Sequence, residues 1–254
     1  MKNSERTHSE TPGCFVLLDG KVAIVTGATG SLGRVVTKIL LENGAKVVTP
    51  YRTSERQDEL ANFVGVFSSA LTGIQADVTD VKSVQNLLKK TLEMHGRVDI
   101  LLNIAGTYIG GKDVAETEES EWDFMMATNL KSVFLCSKAV LPTMIRQNFG
   151  RIVSVAARPA VEKRLRVKSG AYAVSKAGVV VLTETMAEEV KKYDINVNCV
   201  MPSTIDTPNN RKNLVRTDSA NWVKPEDIAK VILFLVSDDS KVISGAAIPV
   251  YGKV

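Results

Sequence analysis

The sequence predicts an α/β protein: one domain built on a doubly wound parallel sheet of about seven strands. Three observations carry this expectation. Short β-rich runs alternate with amphipathic helical runs along most of the 254 residues. Runs such as Val22-Ala23-Ile24-Val25 and Ile100-Leu101-Leu102 are apolar without a break, as strands covered on both faces are. No internal repeat, low-complexity tract or interdomain linker divides the chain. Right-handed crossovers then put helices on both sides of the sheet.

Each element has its own signal. Residues 21–26 read as the first strand and 33–43 as a helix closed by Gly44. Strands follow at 46–49 and 74–77, a helix at 80–93 and a fourth strand at 98–103. Residues 120–147 form one long helical stretch, with Pro142 expected to kink it. A fifth strand covers 151–155, a helix 170–192 and a sixth strand 195–200. Pro225 opens a helix over 225–236, and 246–250 make the last strand. Residues 1–17 read as a flexible polar leader ahead of an 18–254 domain.

Composition narrows the function classes. A net charge of +4 and a single local basic cluster give little support to nucleic-acid binding. The three cysteines, Cys14, Cys136 and Cys199, form no CxxC pair and read as reduced thiols of a cytoplasmic protein. His8 and His95 stand far apart, so neither a histidine metal site nor a Ser-His-Asp triad is supported, and no metal is expected. No apolar run approaches the ~18 residues of a membrane span. Residues 15–18 are too short for a signal-peptide core.

The first strand runs into Thr26-Gly27-Ala28-Thr29-Gly30-Ser31-Leu32-Gly33 and then a helix. Glycines there allow a tight turn and close approach of backbone to a diphosphate, which the helix N-terminus attracts. A glycine-rich turn alone is weak evidence; the strand–turn–helix setting strengthens it. With the preceding Leu18-Asp19-Gly20-Lys21-Val22-Ala23-Ile24-Val25, the segment resembles the opening of classical short-chain dehydrogenases/reductases, enzymes with a Rossmann-type fold. Their turn is TGxxxGxG. Here Ser31 replaces the middle glycine and Gly30 stands one place earlier, a spacing closer to the extended branch of that superfamily.

Further segments resemble the same family, over about residues 18–250. Asp99-Ile100-Leu101-Leu102-Asn103-Ile104-Ala105-Gly106 resembles its NNAG motif, with Ile104 for the second Asn. Trp122-Asp123 through Asn129-Leu130-Lys131-Ser132 resembles the helix that carries its catalytic Asn. Pro202-Ser203-Thr204-Ile205-Asp206-Thr207 resembles PGxxxT. Tyr172-Ala173-Val174-Ser175-Lys176 matches YxxxK, and i,i+4 spacing sets the phenol and ammonium on one helix face. A free phenol, pKa about 10, is a poor base near neutrality, and a neighbouring ammonium is expected to lower it. The resemblance implies Tyr172, Lys176 and Asn129 as catalytic, with Tyr172 as acid/base and Asn129 holding a relay water near Lys176. For the dinucleotide it implies Gly27, Thr29, Ser31, Leu32, Gly33, Tyr51, Arg52, Asp77, Val78, Asn103, Ala105, Gly106, Pro202, Ile205 and Thr207, besides Tyr172 and Lys176.

Cofactor choice rests on the end of the second strand, where NAD enzymes carry an acid for the ribose hydroxyls. Thr49-Pro50-Tyr51-Arg52-Thr53-Ser54 holds none, and Arg52 suits a 2′-phosphate. NADP(H) is therefore expected in preference to NAD(H). Asp77-Val78 resembles the adenine-contacting dipeptide, although an Asp here can equally cap the next helix.

One departure matters. Aligned on GRIVNISS, Gly150-Arg151-Ile152-Val153-Ser154-Val155-Ala156-Ala157 places Ala157 where the family carries its catalytic Ser. Ser154, three residues earlier, points to the opposite face by strand alternation. The dihydropteridine reductases also lack this Ser, and the segment from Thr204 to Asn213, then Trp222, resembles theirs in part. Their strand-two acid is missing here. The loop Arg158-Pro159-Ala160-Val161-Glu162-Lys163-Arg164-Leu165-Arg166-Val167-Lys168 carries five basic residues and one acid. Charge runs are usually just solvated, but this one borders the expected substrate mouth and suits an anionic substrate such as an acyl-carrier or CoA thioester.

The leading expectation is hydride transfer between a nicotinamide and a carbonyl/hydroxyl or imine. A quinonoid pterin substrate and a catalytically weak dinucleotide-binding regulator stand as alternatives; an intact Tyr172 and Lys176 argue against the regulator. The family resemblance also implies a homotetramer, with a dimer as the alternative, and Ser244-Gly245-Ala246-Ala247-Ile248-Pro249-Val250-Tyr251-Gly252 at an interface.

Overall fold

Five consecutive buried residues form β1 (Val22–Thr26), around which the sheet is built. The computed structural model describes residues 17–214 and 219–253. The leader expected at 1–17 lies outside them except for Leu17, as does Cys14. Leu18 is already buried, and its N–H donates to the Asn43 carbonyl.

The elements continue with α1 (Ser31–Glu42), β2 (Lys46–Tyr51), α2 (Ser54–Val64), β3 (Leu71–Gln75), α3 (Val81–His95) and β4 (Ile100–Asn103). Then come α4 (Glu119–Met126), α5 (Ser132–Gln147), β5 (Gly150–Val155), α6 (Gly170–Val190) and β6 (Ile195–Pro202). The chain closes with α7 (Pro208–Asn213), α8 (Pro225–Val236) and β7 (Ala247–Val250).

The seven strands form one sheet in the order β3-β2-β1-β4-β5-β6-β7. Every pair is parallel. Alternation along β1 sends Ala23 and Val25 to the face covered by α1 and α8, where Val36, Leu40, Ile228 and Ile232 meet them. Ile24 goes to the other face, with Leu87 of α3, Val140 of α5 and Met186 of α6. The strand order reverses between β1 and β4, so the loops leaving these two strands open a crevice at the carboxyl edge of the sheet.

The structure corrects several expected boundaries. β3 is Leu71–Gln75, earlier than 74–77, and α1 begins at Ser31, two residues ahead of Gly33. Neither α2 nor α7 was expected. α2 buries only Leu60 and Val64 and so shows little periodicity, and α7 is six residues long, polar after Pro208, and buries none of them. The stretch 120–147 is interrupted by a π-helical turn at Ala127–Lys131, while α5 runs on through Pro142. By length and composition Glu119–Gln147 would pass for a membrane span, against the sequence expectation. Part of its apolar surface serves the core: Met125, Val133, Leu135, Val140 and Met144 are buried, while Trp122, Phe124 and Phe134 are exposed.

Candidate active site

Thr26, the last residue of β1, draws two strand ends together. Its hydroxyl donates to the Leu102 carbonyl (3.3 Å) and accepts from Ile104 N (3.1 Å) and Ala105 N (3.2 Å). Gly27 follows at φ 69°, and a Cβ there would sit 2.6 Å from Ala105 N. Gly33 packs so closely under the turn that a Cβ would lie 2.1 Å from the Gly27 carbonyl oxygen. Gly30 is the N-cap of α1 and offers no capping side chain, so the first-turn N–H groups of Ser31 and Leu32 remain available to a ligand. The GxxGxx spacing thus still makes a tight strand-to-helix turn, in which Gly30 N donates to Gly27 O at 3.0 Å.

A cleft of ≈ 510 Å³ joins this turn to the segment after β6, with Ser31, Arg34, Thr207, Arg211 and Lys224 on its walls. Thr207 caps α7, accepting from Asn210 N at 3.1 Å, and the Ile205 carbonyl accepts from Asn210 Nδ2 at 2.8 Å. Pro202 ends β6, buried. The glycine turn (27–33) and the 202–207 segment, far apart in sequence, therefore face one crevice. Arg34, Arg211 and Lys224 were not singled out in the sequence; their basic charge between motifs was the available signal.

At the far end of the crevice Tyr51 is half-buried and Arg52 exposed. Asp77 accepts from Thr79 N (2.8 Å) and Thr79 Oγ1 (2.7 Å), bonds that hold its carboxyl below the usual range, with Arg52 adding to the effect. The cap of α3 is Asp80, which accepts from Ser83 N. The capping role is thus filled without Asp77, which stays exposed beside half-buried Val78.

The catalytic candidates converge where β4, the π turn and α6 meet. Lys176 is buried, and its Nζ donates to the Val155 carbonyl at 2.7 Å. Asn129 sits in the π turn, a rare geometry that concentrates at functional sites. Its Oδ1 accepts from Thr107 N (2.8 Å), and its Nδ2 donates to Thr107 O (3.0 Å) and Ser175 Oγ (3.1 Å). The side chain is thereby committed, leaving the backbone of the π turn to serve any relay. Gly106 lies between the two groups: a Cβ there would be 3.1 Å from Asn129 Oδ1 and 3.2 Å from Lys176 Nζ. Tyr172 is half-buried, with Tyr108 edge-on to its ring at 5.0 Å.

Two expectations change here. The neighbouring Lys176 does not bring the phenol below its ordinary value. Burial pushes Tyr172 up to about 12, with Tyr108 adding to the rise, and burial pushes Lys176 down to about 8. Asn103 turns its side chain into the core, 2% exposed, where Nδ2 meets Ser137 Oγ (3.3 Å) and Ser154 Oγ (3.2 Å). Only its backbone can reach a ligand. Ser154 is fully buried in this polar rung beneath the crevice rim. Ala157 lies beyond the end of β5, its carbonyl accepting from Ala160 N.

Comparison with known proteins decides the family. The family model described as short chain dehydrogenase matches residues 21–217. The chain belongs to the short-chain dehydrogenase family. It is 34% identical to the 3-oxoacyl-[acyl-carrier-protein] reductase FabG of Thermotoga maritima, over 92% of this chain and 98% of that one. It is 32% identical to the (2S)-[(R)-hydroxy(phenyl)methyl]succinyl-CoA dehydrogenase subunit BbsD of Thauera aromatica, over 92% and 96%. The solved structure of ElxO with NADP bound superposes with a TM-score of 0.86 at 25% identity, covering 91% of this chain and 97% of that one. As a short-chain dehydrogenase the protein is an NAD(P)H-dependent oxidoreductase. The pterin and regulator alternatives are not favoured by these relatives.

Proposed function

We propose that the protein reduces a carbonyl group at the expense of NADPH, with Tyr172 as proton donor. The observation that carries this is geometric: α6 sets Tyr172 one turn from buried Lys176, whose Nζ donates to Val155 O at 2.7 Å beside Gly106 and Asn129. The phenol, raised by burial, keeps its proton at neutral pH and can give it to a carbonyl oxygen that gains charge as hydride arrives. When bound, the reduced nicotinamide supplies the hydride. The residues present fit a dinucleotide: Gly27 and Gly33 leave no room for a side chain, and the α1 N-terminus beside them is uncapped. Ser31, Leu32 and Gly33 would hold the diphosphate by backbone N–H, and Ala105 and Gly106 would approach the ribose. Ile205 and Thr207 would hold the nicotinamide amide. Arg52 would pair with a 2′-phosphate, which favours NADP(H) over NAD(H).

Lys176 carries the positive end of the site. Its ammonium, anchored on Val155 O, would orient the ribose and stabilise charge left on Tyr172 after proton transfer. Asn129 fixes Thr107 and so the loop that follows β4.

The substrate side favours an anion. Arg158 pairs with Glu162 at 2.5 Å and lies over the Tyr251 ring, and Arg166 donates to the carbonyls of Pro159 and Ala160. Lys163, Arg164 and Lys168 stay exposed. Lys168 O accepts from Gly111 N (2.7 Å), which ties the basic loop to the loop after β4. Both named relatives act, by name, on acyl-carrier or CoA compounds, so an acyl thioester is the substrate class proposed. Exposed Trp122, Phe124, Phe134 and Val181 on α4, α5 and α6 support self-association, proposed as a homotetramer. The buried free thiols Cys136 and Cys199 fit a cytoplasmic setting.

The test is NADPH oxidation against 3-oxoacyl thioesters, neutral ketones and a quinonoid pterin. Thioester turnover at least tenfold above the rest is expected. Activity confined to the pterin would overturn the substrate class, and none with any carbonyl would overturn the reading.

A further inference from the structure

The carbonyl oxygen that receives a proton from Tyr172 gains negative charge as hydride arrives, and one donor is a sparse environment for it. The serine hydroxyls around the site are already committed. Ser175 Oγ donates to Tyr172 O at 2.7 Å, and Ser169 Oγ to Leu165 O at 3.0 Å. Ser203 Oγ donates to Tyr251 O at 2.7 Å. Ser154 is fully buried against Asn103, and residue 157 has no hydroxyl.

Tyr108 is different. Its ring stands edge-on to that of Tyr172, with centroids 5.0 Å apart and planes at 83°. It is 62% exposed, in the loop after β4. Its hydroxyl has no hydrogen-bond partner among the described residues. The backbone beneath it is pinned on both sides. Thr107 is clasped through N–H and C=O by Asn129, and Gly111 N donates to Lys168 O. The phenol is set against Gly110, where a Cβ would fall 2.2 Å from its oxygen. A side chain held this way, with its polar tip unspent, is prearranged for a ligand.

We propose that Tyr108 is a further catalytic residue, its hydroxyl donating to the substrate carbonyl oxygen alongside Tyr172. The inference rests on the carbonyl-reductase reading above. It makes Asn129 a positioning residue whose pincer on Thr107 serves Tyr108. It also explains why Gly110 is glycine: any larger residue displaces the phenol.

The test compares Tyr108→Phe, Gly110→Ala and Tyr172→Phe on the thioester or ketone that the wild-type protein turns over. Tyr108→Phe should lower kcat about 100-fold, as loss of an oxyanion donor does, with KM changed less than about threefold. Gly110→Ala, which keeps the hydroxyl but moves it, should lower kcat about tenfold. Adding Ala157→Ser to Tyr108→Phe should restore about tenfold by supplying another hydroxyl. A Tyr108→Phe protein retaining more than half of wild-type kcat, while Tyr172→Phe is inactive, overturns the proposal and leaves the reductase reading intact. A second readout needs no turnover. In protein carrying ring-labelled tyrosine, the NMR titration of Tyr172 should shift to lower pH in Tyr108→Phe, because Tyr108, edge-on at 5.0 Å, adds to the rise of the Tyr172 phenol. An unchanged titration means the two hydroxyls are not paired and likewise overturns it. Absence of all carbonyl turnover in the wild type, with that shift present, counts against the reductase reading alone.

Discussion

Replacing Lys176 by Met should make the protein more stable while stopping it working. The ammonium is buried, and burial pulls it from 10.5 down to about 8. Carrying that charge at pH 7 therefore costs the folded state about 3 kcal/mol, at about 1.4 kcal/mol per pH unit. Methionine has a similar length and no charge. Losing the 2.7 Å bond to Val155 O offsets about 1 kcal/mol of the gain. The net expectation is about 2 kcal/mol, or about 4–8 °C in Tm for a domain this size. The sign with pH follows from proton counts. Between about 8 and 10.5 the unfolded chain holds the Lys176 proton and the folded one does not, so wild-type stability rises across that window. The advantage of Lys176→Met is thus full below pH 8 and fades toward pH 10.5. Urea unfolding at pH 7 and pH 10, without dinucleotide, measures it, with turnover assayed in parallel. A variant less stable than wild type at pH 7, or a difference that ignores pH, would refute the claim that Lys176 is held at a structural cost for function.

Three further outcomes are expected. Arg52→Ala should weaken NADPH binding about tenfold and leave NADH nearly unchanged in fluorescence titrations; equal losses would remove the guanidinium from 2′-phosphate recognition. Tyr172→Phe should abolish turnover with NADPH affinity kept, whereas Ser154→Ala, losing one bond to Asn103, should cost about 1 kcal/mol of stability and little activity. If the two lose activity alike, Ser154 reaches the substrate after all. Gly33→Ala, with its Cβ 2.1 Å from the Gly27 carbonyl, should abolish dinucleotide binding; calorimetry that finds wild-type affinity would show that the turn can shift.

The fold was legible because its signals are local. Uninterrupted apolar runs announced β1 and β4, and Pro225 marked the start of α8. α2 escaped because its first six residues, Ser54 to Glu59, are all polar and the helix buries only Leu60 and Val64. The interruption of the long helix escaped because no proline or glycine causes it; the π turn comes at Asn129, whose side chain clasps Thr107.

The sequence by itself determined the strand–glycine–helix turn, the one-face placement of Tyr172 and Lys176, and the alanine at 157. These depend on covalent spacing and on backbone conformations open to particular residues. Only the tertiary structure decided what state those groups are in. Burial raised the phenol and lowered the ammonium, opposite in direction to what the adjacency of Tyr172 and Lys176 suggested for the phenol. The core claimed the side chains of Asn103 and Ser154. The loop after β4 brought Tyr108 against Tyr172 across 64 residues of sequence. Desolvation and through-space contact depend on every element that packs around a group, so no motif spacing could have disclosed them.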